Sequence, residues 1–301
     1  GGGQDSVNIH DAKFGNVKVF TGDTFGNGAN DADVVRLQRV RTSGAVTVNT
    51  GAGADIVGVY SSTIGDPTGA DDLSITAGFA GLPGESDADA VFIQSSAVFG
   101  NTTVNTGASA DYVSVQNSNF GDSEFDAVVI DAGAGSDTVE LGVPNRQGQI
   151  SGPVQLAGSL SVLADSFANS DAESGNDVVR MHSVFADFDI GANLRSGNDR
   201  LELTNVHGRF LTFHGEKGND TMIMVEAEAR ETLFALMGEN DDLLDMTGVG
   251  AKRLEADGGA GFDRLEKHLM QFIPAVNELN WEQINGKPVR SKQSSLPLSR
   301  T

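Results

Sequence analysis

The chain has 301 residues, of which 38 are glycine and 39% are hydrophobic, with two tyrosines, one tryptophan and no cysteine. Such a chain is rich in turns yet carries enough apolar side chains to bury, which excludes a disordered polymer, a disulfide framework and a thiol nucleophile. Its formal charge, 20 basic against 42 acidic side chains, is −22; this repels nucleic-acid phosphates and anionic membrane surfaces, so nucleic acid is not an expected partner.

No apolar run reaches the roughly eighteen residues that a helix needs to cross a bilayer. The sequence opens at Gly1-Gly2-Gly3-Gln4-Asp5, already inside the motif described next, and the expectation is a secreted or cell-surface protein whose signal peptide lies outside this sequence.

From there one unit recurs: a glycine-rich turn, an aspartate, then apolar residues two and four positions later, the alternation of a half-buried strand. It appears at Asp5 (Val7, Ile9), Asp33 (Val35, Leu37), Asp55 (Val57, Val59), Asp89 (Val91, Ile93), Asp111 (Val113, Val115) and Asp137 (Val139, Leu141). It continues at Asp177 (Val179, Met181), Asp199 (Leu201, Leu203), Asp220 (Met222, Met224), Asp242 (Leu244, Met246) and Asp263 (Leu265), where Lys267 takes the second apolar slot. The intervals are 28, 22, 34, 22, 26, 40, 22, 21, 22 and 21 residues, a base period that signals a solenoid.

A second alternating run follows each aspartate, as at Val17 and Val19, Val46 and Val48, Leu211 and Phe213, and Leu254 and Ala256. Between the two lies a weaker apolar site at Phe14, Val40, Ile64, Val98, Phe120 or Val206, read as a short third strand. The pattern predicts an all-β fold over residues 1–265: a right-handed parallel β-helix of about ten coils, with ~22 residues per coil. A sandwich has no reason to repeat one pattern at one spacing, and propeller blades repeat at roughly twice the period.

The long intervals place insertions in two coils, at 65–72 and 79–88 and at 142–158 and 165–176, predicted to rise from the same two corners and wall a groove. Candidate groove residues are Asp66, Asp71, Asp72, Glu85, Asp87, Arg146, Asp165, Asp171 and Glu173. The five histidines form no spaced metal pair, and Met222, Met224, Met237 and Met246 follow core slots. After Asp263, Leu265, Leu269 and Phe272 show helical spacing, so 266–285 is predicted to be a helical C-terminal cap, with Trp281 in it, and 286–301 a disordered basic tail.

The turns before the aspartates read Thr50-Gly51-Ala52-Gly53-Ala54-Asp55, Ala132-Gly133-Ala134-Gly135-Ser136-Asp137 and, most fully, Gly258-Gly259-Ala260-Gly261-Phe262-Asp263. They resemble the haemolysin-type (RTX) calcium-binding repeat, which implies stacked parallel turns with Ca²⁺ held by aspartate carboxylates and loop carbonyls. The corresponding candidate ligands are Asp55, Asp111, Asp137, Asp177, Asp199, Asp220, Asp242 and Asp263, and a hard cation would relieve a column of like charges. The other reading of the same residues is that each aspartate accepts backbone N–H groups of its own turn.

The acidic groove is similar in general architecture to pectate-lyase-like β-helices, which implies a polysaccharide-active lyase or glycosidase with carboxylates and a basic partner. The repeat and acidity favour instead an extracellular or cell-surface module of adhesin-like or structural type, calcium-stabilised, with carbohydrate or another cell-surface protein as partner. No catalytic residue and no cofactor other than calcium are assigned.

Overall fold

The computed structural model describes residues 3–22, 32–69, 71–78, 87–143, 152–165, 175–271 and 273–289. Its strands form one sheet, parallel at every pairing but the last, that winds into a parallel β-helix with three faces per coil. The alternation read in the sequence decides which side chains turn inward. On the first face Val35, Val57, Val91, Val113, Val139, Val179, Leu201, Met222, Leu244 and Leu265 lie in unbroken register, and none is more than 1% exposed. On the third face Val48, Ile75, Val104, Ile130, Val162, Ala192, Phe213, Ala235 and Ala256 do the same. The single large ring, Phe213, sits between two alanines, so volume is conserved along the column.

The short face carries two inward columns where the sequence suggests one. Phe120, Leu156 and Ala186 occupy one. Val154, Val184 and Val206 occupy the other, two positions earlier. Val40 belongs with the earlier column, whose members in the next coils are serines: Ser62 Oγ accepts the Val40 N–H, Ser96 Oγ accepts that of Ser62, and Ser118 Oγ that of Ser96, at 3.1–3.2 Å. Each hydroxyl donates onward to the carbonyl two residues before it, so a buried polar column is satisfied without water. Phe14, in the first coil, is 41% exposed.

Between the first and short faces the chain turns through a left-handed residue in nearly every coil, including Asp11, Arg39, Ser61, Ser95, Asn117, Ser183, Asn205, Glu226 and Leu269. These fall six positions after the repeat aspartates.

No helix occurs among the described residues, and the predicted helical cap is replaced by more solenoid. Arg264–His268 continues the first face, Ala275–Leu279 the third, and Gln283–Ile284 then pairs in parallel with Arg264–His268 before folding back antiparallel on Lys287–Pro288. Register with the coil below overrides the local helical spacing. Trp281 closes this end, 5% exposed, with Nε1–H donating to the Ala256 carbonyl at 3.2 Å. Lys267 reaches Glu278 across the end, Nζ to Oε1 2.6 Å, which explains a lysine in an apolar slot. Of the predicted tail, 290–301 lies outside the described residues.

The glycines of the remaining corner are a packing requirement. A methyl group on Gly133, Gly175, Gly197 or Gly218 would fall on the carbonyl oxygen of Gly107, Gly135, Gly175 or Gly197 in the coil below, and Gly197 and Gly218 also have φ of 144° and 121°. Gly197→Ala is therefore expected to cost more than about 2 kcal/mol in chemical denaturation. Gly191→Ala is the control: its nearest neighbour would be the Thr212 carbonyl oxygen at 3.5 Å, and a change within about 0.5 kcal/mol is expected. Equal losses would mean that the corner is not close-packed.

Candidate functional site

The repeat aspartates meet at the glycine corner and form a ladder. The backbone N–H of each donates to Oδ1 of the aspartate one coil on: Asp5 to Asp33, then to Asp55, Asp89, Asp111, Asp137, Asp177, Asp199, Asp220, Asp242 and Asp263, all at 2.7–3.0 Å. Asp263 N–H donates in turn to Glu282 Oε2 at 2.7 Å, so a glutamate ends the series. The aspartates are thus backbone acceptors, as one sequence reading held, and the donor each takes here belongs to the neighbouring coil. Each carboxylate can reach that donor because the glycines let the coils approach.

A second ladder lies one residue earlier and further out. Asn176 N–H donates to Ser136 Oγ, Asn198 to Asn176 Oδ1, Asn219 to Asn198 Oδ1, Asp241 to Asn219 Oδ1 and Phe262 to Asp241 Oδ1, at 2.7–3.0 Å. Here the later coil donates to the earlier one, the reverse of the inner ladder. Sequence reasoning missed it; the recurrent Gly-Asn-Asp of three successive coils was its signal.

The inner carboxyls are 0–3% exposed. Their second oxygens, Oδ2 of Asp33, Asp137, Asp177, Asp199, Asp220, Asp242 and Asp263, are buried with no hydrogen-bond partner among protein groups. For Asp137, Asp177, Asp199, Asp220, Asp242 and Asp263 burial is the main force on titration and the N–H bond to Oδ1 pulls the other way, and in all of these but Asp220 neighbouring carboxylates add to burial. The result raises Asp137 to about 9, Asp199 to about 8, Asp177 and Asp242 to about 7, and Asp220 and Asp263 to about 6. A proton on Oδ2 removes the charge that burial penalises.

A cation is the other way to neutralise these oxygens. No three His, Cys, Asp or Glu side chains among the described residues converge to hold a metal ion. The aspartates meet as a line, one per coil, and a methyl on Gly215 would already touch Asp220 Oδ2.

Of the residues expected to line a loop groove, those described fall at two corners of the coil. The segment 65–72 follows the short strand Thr63–Ile64, whereas 142–153 precedes the short strand Val154–Leu156. The two first insertions therefore leave from opposite ends of the short face, which corrects the expectation of matching corners. Spacing alone cannot place an insertion before or after so short a strand. Asp66 caps its own turn through Thr68, Asp71 accepts the Asp66 N–H, and Asp72 accepts from Asn101. Asp87 and Asp165 belong to the glycine corner, where buried Asp165 accepts the Ser196 N–H and is raised to about 6, chiefly by burial. Glu85, Arg146, Asp171 and Glu173 lie outside the described residues.

A cleft of about 720 Å³ opens elsewhere, on the outer surface of the first face. It is lined by Phe92, Ile93, Gln94, Tyr112, Ser114, Gln116, Thr138, Glu140, Val143 and Arg180. Tyr112 donates its hydroxyl to Glu140 at 2.6 Å, and Arg180 bridges Glu140 at 3.1 Å and Glu202 at 2.9 Å.

The raised carboxyls have a thermodynamic consequence. An unfolded aspartate titrates near 3.9, so stability from the neutral ladder is fully present below about pH 4 and is lost as pH rises through about 6 to 9. Asp199→Asn keeps the acceptor for Asp177 but brings extra N–H donors, costing about 1–3 kcal/mol at pH 5. Because it has no proton to lose, the gap to the unsubstituted chain should narrow by pH 8 in parallel urea titrations. A gap that is constant with pH would show that Asp199 is ionised in the fold.

Comparison of the chain with protein-family models, with curated proteins and with solved structures finds no match, so its function is argued from these residues alone.

Proposed function

We propose that the chain is a structural or adhesin-like β-helix module of a secreted or cell-surface protein, a rigid acidic rod and not an enzyme. The observation that carries this reading is the continuity of the aspartate ladder from Asp5 to Asp263. From Asp33 to Asp263 a buried aspartate in each coil holds the preceding coil in place, and a carboxyl so engaged would have to release its N–H donor to act as an acid or a nucleophile. The short-face serines and the outer asparagine ladder serve the same end. No helix among the described residues is long and apolar enough to cross a membrane.

The haemolysin-type resemblance adds calcium to this proposal. The orphaned Oδ2 atoms are hard oxygen ligands of the kind Ca²⁺ takes, but without convergent carboxylates the ion enters as a competitor of the proton at single positions, with loop carbonyls completing its shell. A polysaccharide-active enzyme is the second reading, supported by Glu140 in the first-face cleft; there Arg180 already neutralises it. Release of reducing ends or unsaturated products from a polysaccharide by the full chain would replace the module reading.

Thermal unfolding at pH 8 with Ca²⁺ or with EDTA tests the calcium element. Protons are leaving the ladder there, and an ion bound only by the folded state raises Tm by mass action. A rise with Ca²⁺ at pH 8 that shrinks at pH 5 is expected. The same midpoint in Ca²⁺ and EDTA at both pH values would leave the ladder to protons alone.

A further inference from the structure

We propose that the cleft on the outer surface of the first face binds a neutral oligosaccharide. This goes beyond the module reading, which stands whether or not a sugar binds.

The argument begins from what folding asks of an outward strand position. On the third face the outward column runs Thr47, Ser74, Thr103, Val129, Ser161, Gly191, Thr212 and Phe234 in register, mostly small or hydroxyl residues with a single ring, which meet the need for a solvated, pleated surface. The equivalent surface of the first face is different. Both tyrosines of the chain lie on it, and Phe92 lies on a strand between theirs.

Phe92 and Tyr112 form a platform within the cleft, and Tyr60 stands on the next strand outside its lining. Phe92 and Tyr112 have centroids 5.7 Å apart and planes tilted by 53°. Tyr60 packs over Gly58, where any side chain would collide with the ring, and carries the Arg36 guanidinium 4.9 Å from its centroid; Gly58 is the register partner of Phe92. An aromatic face on an otherwise polar surface takes the apolar C–H face of a sugar ring, while groups beside it take the hydroxyls. Gln94 and Gln116 supply those groups as a linked amide pair, 3.2 Å apart. Adjacent strands are ~4.8 Å apart, close to the length of one pyranose unit, so successive sugars can meet successive coils.

Charge selects the ligand within that class. Arg180 is held between Glu140 and Glu202, so the charged wall presents hydrogen bonds without a free charge. A chain of −22 repels uronates, sulfated glycans and phosphates, which leaves uncharged glycans. The cleft volume is within the ~300–1,000 Å³ typical of small-molecule sites.

The test is calorimetric titration of the full chain with neutral hexasaccharides of β-1,4-glucan, α-1,4-glucan, xylan and mannan, beside polygalacturonate and a proline-rich peptide. At least one neutral hexasaccharide is expected to bind, with little response to added NaCl. Phe92→Ala and Tyr112→Ala should each weaken that binding about tenfold or more, equivalent to ~1.4 kcal/mol, and Gln94→Ala, which leaves the platform whole, should weaken it less. Far-ultraviolet circular dichroism and Tm confirm that each variant is folded. No binding by any neutral hexasaccharide at millimolar concentration would overturn the proposal, as would binding by only polygalacturonate or the peptide, or binding that folded Phe92→Ala and Tyr112→Ala leave unchanged.

Discussion

A buried carboxyl must be hydrogen-bonded, and here it is bonded across coils. That constraint organises the corner at which each circuit begins. For the Asp177 N–H to reach Asp199 Oδ1 at 2.8 Å, the two turns must stack at strand spacing. They can do so only where the backbone in contact has no side chain, as at Gly175, Gly197 and Gly218. Glycine and aspartate are therefore one device: the first sets the approach, and the second uses it. The apolar columns of the first and third faces follow, because once the corners are in line every inward residue meets its equivalent.

The two ladders at this corner run in opposite senses. In the inner one the earlier coil donates, and in the outer one the later coil does. From Ser136 to Phe262, adjacent residues thus tie the coils to both neighbours through side chains as well as through the sheet. The corner between first and short faces is built differently, on left-handed residues. Isolated left-handed residues other than glycine cost roughly 1–3 kcal/mol each, and their recurrence shows that stacking imposes the conformation.

Much of this was legible in the sequence because it depends on identity at a fixed spacing. The aspartate column, the two apolar strands and the period all follow from residues that cannot be exchanged without loss of fit. Other features were illegible because they depend on a property that several residues share. The outer ladder needs only an acceptor oxygen at the right distance, so Ser136, Asn176, Asn219 and Asp241 all serve. The left-handed corner accepts Arg39, Glu226 and Leu269 because the neighbouring coils fix φ. Glu282 escaped notice because a longer side chain spans an interval of 19 residues where the aspartates span 21 or more. Leu265 and Leu269 suggested a helix since their spacing suits one; the exposed edge of the coil below offered strand pairing instead.

The contrast between the two ladders also explains why the inner one is aspartate throughout. Its outer neighbour is exposed, and there an asparagine amide that gives its oxygen to the next coil can leave its NH₂ group to water. Inside, such an amide would bring two buried donors to be satisfied where the carboxyl brings at most one, and each left unsatisfied costs about 1–3 kcal/mol. A protonated carboxyl carries one donor, and it can also lose it. Charge along the inner column therefore depends on its neighbours: ionising Asp177 or Asp220 raises the cost of ionising Asp199 between them. Such groups titrate as a coupled set. The net charge of −22 counts every one of them as ionised, so the folded rod near neutral pH is less acidic than its composition states, and the difference is stored along a single buried line.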